Sequence, residues 1–231
     1  MRQVQVPEIL NGESMCKKMM QGLSVIIFFV WHIQLIAEPM NLAIARKHVE
    51  DYYDSGQYTL EMNKIIDRAI SYFSSCCSMD VRKPAIVFDI DDTVVSSYQR
   101  SKEIGFGFID SLYRSWVAQA ELPLISETKR LYDHLVACHY HIIFISARPW
   151  YEKDVTIRNL KHKGFTVFDK IILRTPEMMH MTVKSYKSLM RKRLVMQGYT
   201  ILASIGDQWS DLCGGYAEHL IKLPNPMYII V

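Results

Sequence analysis

The stretch AIVFDIDDT, residues 85–93, constrains the fold more than any other part of the chain. A short apolar, partly β-branched run ends in three carboxylates within four residues: Asp89, Asp91 and Asp92. A carboxylate sealed in apolar surroundings without a partner is strongly disfavoured, so such a strand must end at water, a cation or a ligand. Comparable runs recur at 141–146, 170–173, 200–205 and 219–223. Between them lie stretches with helical apolar spacing at 125–138, 152–163 and 183–197. Strands alternating with helices predict an α/β fold with a parallel sheet covered on both faces. In such sheets ligands bind beyond the carboxyl ends of the strands, near the point where strand order reverses.

The unusual polar residues fall at those ends. Asp89 and Asp91 close the first run, Ser146 and Arg148 the second, and Asp207 and Asp211 follow the fourth, with Lys187 in the helix before it. Several carboxylates at one point suit a hard divalent cation, and Mg²⁺ is served by one or two carboxylates, water and a phosphate. A carboxylate beside such a cation can act as a nucleophile. A second carboxyl two residues along can serve as general acid and base. Ser146 can donate to a phosphoryl oxygen, and Lys187 can neutralise charge on nucleophile and phosphate. These are the parts of a phosphoryl-transfer site. Taken singly, an Asp at a strand end is a turn or cap residue, Ser146 a helix cap, and Arg148 as readily a structural ion pair as a substrate contact. Asp92 is expected to be exposed or capping, and Trp209 packed rather than catalytic.

The segments DIDDT, ISAR, YKS and GDQWSDL, in that order, resemble the four motifs of haloacid dehalogenase superfamily phosphatases. The similarity is greatest to the class B-like acid phosphatases, subfamily IIIB, a group that also contains plant vegetative storage proteins. YYDSGQYTLEM, FGF and LPLISETKRLYDHL add to it, and the likeness runs from about Leu42 to the end. The resemblance implies a Rossmann-like parallel sheet flanked by helices, with a small helical cap at about 95–122 and an N-terminal helical segment. It implies an acid phosphatase acting on small phosphomonoesters. Asp89 is then the nucleophile, Asp91 the acid/base, and Ser146 and Lys187 the phosphoryl holders, Lys184 being the competitor for the last role. Mg²⁺ would be held by Asp89, the backbone carbonyl of Asp91 and Asp207, with Asp211 supporting. Two positions depart from the pattern: Asp92 where Glu is common, and Ser97 where Asn is expected. Among the aromatics between the first two motifs, Tyr98 and Phe106 are the expected substrate contacts, alongside Arg148.

The N-terminal region has a different character. Residues 22–37, GLSVIIFFVWHIQLIA, follow a basic CKK and hold no Asp, Glu, Lys or Arg. This is the pattern of a secretory signal, and Met15 could be its start. An uncleaved membrane anchor or a buried helix are the alternatives. The expected organisation is a signal or anchor at 1–37, a helical segment at 38–80 and the phosphatase core at 81–231. The protein is accordingly expected to be secreted or periplasmic, meeting the membrane only through an uncleaved run. Its five Cys have no metal-ligand spacing, and export would permit a disulfide. A formal charge of +3 gives no argument for nucleic acid, and a homo-oligomer remains open. Two other classes compete: a degenerate storage or binding protein on the same fold, and a phospho-accepting receiver. A receiver places its acidic pair and phospho-acceptor on different strands, against the single-strand DIDDT.

Overall fold

The computed structural model describes residues 39–76 and 81–230. The run at 22–37 lies outside them. Among the described residues no helix is long and apolar enough to cross a membrane. The chain divides into two compact units, Met1–Ala45 and Arg46–Val231. Of the first, the described part is 39–45, which carries the opening turn of helix α1 (Leu42–Asp54).

The second unit is organised on one sheet of five parallel strands: β1 Pro84–Phe88, β2 His141–Pro149, β3 Lys170–Arg174, β4 Thr200–Gly206 and β5 His219–Lys222. Their order is β3-β2-β1-β4-β5. The helices are α2 Gln57–Cys76, α3 Tyr98–Glu103, α4 Asp110–Gln119, α5 Ser126–Ala137, α6 Lys153–His162, α7 Val183–Met196 and α8 Trp209–Leu212. The strands and long helices read from the sequence fall within a few residues of these bounds. β2 runs on past Ser146 because Pro149 pairs with Arg174 after a register shift.

The two-residue period of a strand explains why the strand sequences are apolar throughout rather than alternating. Ile86 and Phe88 of β1 pack with Met62, Ile66 and Phe73 of α2 and Leu131 and Leu135 of α5. Ala85 and Val87, between them, face Tyr186, Met190 and Leu194 of α7. Both faces are therefore core. Burying a side chain such as Leu194 stabilises the fold by about 1.5–3 kcal/mol.

From β1 the chain crosses to β2 and β3 on one side, then returns to β4 and β5 on the other. Strand order reverses around β1, so a crevice opens beyond the carboxyl ends of β1, β2 and β4. The segment between β1 and α5 supplies α3 and α4 above that crevice.

Candidate active site

Asp89 follows β1 directly, its backbone N–H donating to Ile205 O of β4 (2.9 Å). Its carboxylate meets the ammonium of Lys187, which also donates to Asp211 Oδ1 (2.7 Å). All three side chains are at least nine-tenths buried. Thr93 Oγ1 lies 3.3 Å from Asp89 Oδ2 and 3.1 Å from Asp207 Oδ1, and accepts from the Asp207 N–H (3.1 Å). Burial, together with Asp211, Asp207 and Asp91, pushes the Asp89 carboxyl well above the usual range against the pull of Lys187. Lys187 is raised: burial opposes its charge, but Asp211 and Asp89 outweigh it. Lys184 is exposed, so Lys187 is the lysine that reaches the carboxylates.

Helix periodicity gives α7 a second grip on this loop. Arg191, one turn beyond Lys187 and fully buried, donates to the carbonyls of Asp211, Leu212, Cys213 and Gly215. Asp211 Oδ2 accepts the Gln208 N–H (2.9 Å), as the N-terminus of α8 favours. Gly206 is required here, because a Cβ on it would lie 2.5 Å from Asp211 Cβ. Asp207 Oδ2 accepts from Gln208 Nε2 (2.8 Å) and Asn225 Nδ2 (2.7 Å). Its carboxyl is still raised, first by burial and then by Asp211.

Asp91 is held differently. Arg148 clamps it through both oxygens, Nε to Oδ2 at 2.9 Å and Nη2 to Oδ1 at 2.6 Å, and braces itself on Thr156 Oγ1 (3.0 Å). Burial would raise the Asp91 carboxyl, but the charge and hydrogen bonds of Arg148, joined by a bond from Tyr113, hold it below the usual range. Ser146 is buried beside Asp91 and Arg148, its Oγ accepting the Arg148 N–H (3.2 Å). Its hydroxyl proton remains available to an acceptor.

Asp89, Asp91, Ser146, Arg148, Lys187, Asp207 and Asp211 line a cavity of about 470 Å³. Phe106, Phe108, Ile109, Tyr113 and Trp116 line it from the α3–α4 segment, and Met227 to Ile230 from the chain after β5. Three sequence expectations are corrected. Tyr98 does not line the cavity: it stacks on Tyr53 (centroids 3.9 Å, 13°) and donates to Asp54 Oδ1 (2.8 Å). The cavity side of α3 and its two flanking residues belongs to Ser97, Ser101 and Ile104, and Tyr98, one step from Ser97, turns to Tyr53 and Asp54 instead. Asp92 is buried, accepting from Ser97 N–H and Oγ (both 2.7 Å) and Tyr228 OH (2.8 Å). Burial and Asp207 push its carboxyl up to about 7. Trp209 is 58% exposed.

With that geometry in view, the family model described as HAD superfamily, subfamily IIIB (acid phosphatase) matches residues 18–231. The chain belongs to this family. It is thereby placed among the phosphoric monoester hydrolases. The subfamily IIIB chain is 36% identical over 187 residues to a stem 31 kDa glycoprotein of Glycine max, covering 78% of this chain and 72% of that one. It is 30% identical to acid phosphatase 1 of Solanum lycopersicum (80% and 74%) and 34% identical to vegetative storage protein 1 of Arabidopsis thaliana (81% and 71%). Its fold matches the class C acid phosphatase of Bacillus anthracis with a TM-score of 0.62 at 23% identity, over 81% of this chain and 85% of that one.

The donor set of this subfamily IIIB site fits a hard divalent cation. Carboxylate oxygens of Asp89, Asp207 and Asp211 lie within 4.8 Å of one another, all buried. Three such groups with one ammonium between them leave negative charge that a cation would offset. Asp211 has both oxygens engaged, one by Lys187 and one by Gln208, and so suits a supporting position. Sequence reading missed Tyr113 as the partner of Asp91, Gln208 and Asn225 on Asp207, and Tyr228 on Asp92. Of these Gln208 alone carried a local signal, since it opens α8 inside GDQWSDL.

Proposed function

We propose that this subfamily IIIB acid phosphatase hydrolyses small phosphomonoesters through a phosphorylated Asp89, with Mg²⁺ as its metal. The observation that carries the reading is Lys187 bridging Asp89 and Asp211 beside Asp207 in a buried pocket. Asp89, the backbone carbonyl of Asp91 and Asp207 would hold Mg²⁺, which would draw charge from the phosphoryl oxygens. An Asp89 oxygen attacks phosphorus while the bond to the ester oxygen breaks. Asp91, once released from Arg148 and protonated from solvent, delivers that proton to the ester oxygen. Asp91 then takes a proton from water as the water attacks phosphorus, freeing inorganic phosphate and regenerating Asp89. Lys187 and Ser146 hold the phosphoryl oxygens throughout. The apolar wall at Phe106, Phe108 and Trp116 suits a leaving group with a flat or apolar face.

The same reading makes the enzyme an exported one, with residues 22–37 as a signal or tether. Cys138 is disulfide-bonded while Cys213 is a free thiol, and a stable disulfide belongs to an oxidising compartment. N-terminal sequencing of protein from the exported fraction should begin near Glu38. Protein found in the cytosol alone would reject this.

Storage-protein relatives favour one competing reading, a binding or storage protein without turnover. The retained set of Asp89, Asp91, Lys187 and Asp207 argues for an enzyme. The test is a panel of phosphomonoesters offered to EDTA-stripped and Mg²⁺-restored protein. Activity should vanish on stripping and return with Mg²⁺. Full activity after stripping would remove the metal, and a folded protein inert with Mg²⁺ would favour storage.

A further inference from the structure

The segment YYDSGQY, residues 52–58, takes no part in the chemistry above, yet it is the point at which the first helices reach the cap. Asp54, at the end of α1, accepts from Tyr98 OH (2.8 Å) and Lys102 Nζ (2.7 Å). Glu50, one turn earlier, stands 3.7 Å from the same ammonium. Tyr53 is stacked between Tyr58 (4.4 Å, 26°) and Tyr98 (3.9 Å, 13°). Just past α3, Gly105 and Phe106 both adopt left-handed backbone, with φ 62° and 59°. The Arg46 side chain lies where a Cβ on Gly105 would be, its Cζ 3.1 Å away. Arg46, Tyr53, Asp54, Tyr98 and Lys102 do not line the cavity, whereas the same segment lines it through Ser97, Ser101, Ile104 and Phe106, and Tyr98 stacks on Phe106 (6.4 Å, 27°).

We propose that Asp54 is a positioning residue: by anchoring α3 to α1 it fixes Phe106 over the cavity and thereby sets which leaving groups are accepted. The part concerning leaving groups rests on the phosphomonoesterase reading. An exposed ion pair by itself contributes little. Here one carboxylate takes two donors from the same helix, one turn apart, beside a stack of three rings. A helix of six residues cannot hold its own position by local bonding, since helices this short are marginal alone. Its placement must come from tertiary contacts, and α1 supplies them.

The test compares Asp54→Ala and Asp54→Asn with Asp51→Ala, which removes a similarly exposed ion pair on α1, that with Lys47. Amide hydrogen exchange over 97–109 should accelerate in Asp54→Ala, less in Asp54→Asn, whose side-chain carbonyl still accepts from Tyr98, and not in Asp51→Ala. KM for an aryl phosphate such as 4-nitrophenyl phosphate should rise about five-fold in Asp54→Ala, the size of one lost hydrogen bond. KM and kcat for a glycerol phosphate should stay within about twofold. Unchanged exchange would overturn the anchor. Equal KM changes for both esters would overturn its role in selectivity. Should the folded wild-type protein hydrolyse neither ester, the phosphatase reading would fall, while exchange would still decide the anchor.

Discussion

On the sheet side of the cavity, the side chains of Lys187, Asp89 and Asp211 expose 4%, 8% and 4% of their surface. Across it, Lys102 and Asp54 make the same kind of pair with 30% and 54% exposed. The chemistry is identical but its weight is not. Water and salt compete for the outer pair, whereas the inner group has only its own members to satisfy it. The inner wall therefore fails abruptly when one member is removed, and the outer wall yields by degrees.

The largest effect should follow Asp89→Asn. With the nucleophile gone, kcat should fall by about 10⁴-fold or more, as removal of a nucleophile does elsewhere. The test is steady-state turnover together with acid-quenched trapping of a phosphoenzyme. A covalent phosphoryl group still formed in this variant would reassign the nucleophile. Next comes Lys187→Met, which leaves Asp89 and Asp211 buried and unpaired. Metal-free protein should lose about 3–5 kcal/mol in urea unfolding, and Mg²⁺ should recover part of it. Lys102→Met, its counterpart on the outer wall, should lose far less, and equal losses would break the comparison.

Gly206→Ala should come third. The new Cβ meets Asp211, whose carboxylate is fixed by Lys187 and the Gln208 N–H, so neither can give way. A cost of about 1–3 kcal/mol is expected from the overpacking, with reduced turnover. Gly105→Ala meets the far end of a flexible Arg46 side chain and should suffer from its backbone conformation alone. The smallest effect concerns pH. Hydrogen bonds from Lys102 and Tyr98 hold the Asp54 carboxyl below its ordinary value. A depressed folded-state pKa contributes stability above the unfolded value, about 3.9, and loses it as the pH falls through the folded one. The difference in thermal midpoint between wild type and Asp54→Ala should therefore be present at neutral pH and shrink below about pH 4. A difference that grew on acidification would reverse the sign of the interaction.

The same contrast governs how much could be read from the sequence. The inner wall was legible because its residues stand at strand ends and helix turns whose spacing fixes their place. β-branched runs located β1, β2 and β4, and these delivered Asp89, Ser146, Arg148 and Asp207 to one edge. The outer wall was not, because its partners are joined by no local period. The same holds where an inner residue has a distant partner: nothing near the buried Asp92 announces Tyr228, 136 residues away, and a lone turn aspartate reads as exposed. Tyr98 was misplaced for want of a helix register. Once α3 begins at Tyr98, that residue and Lys102 share one face, and Ser97 and Ser101 another. The extension of β2 to Pro149 depended on pairing with β3 and had no local mark.

Thr93 Oγ1 is within bonding reach of Asp89 on one side and Asp207 on the other, but it carries a single proton. At any instant only one carboxylate can receive it. The other goes without, so the two acids compete for a shared allotment, and whichever is more negative draws the hydroxyl round by rotation about one bond. The loops after β1 and β4 are thus geared together: a change of charge at Asp89 is answered at Asp207 with no movement of the backbone.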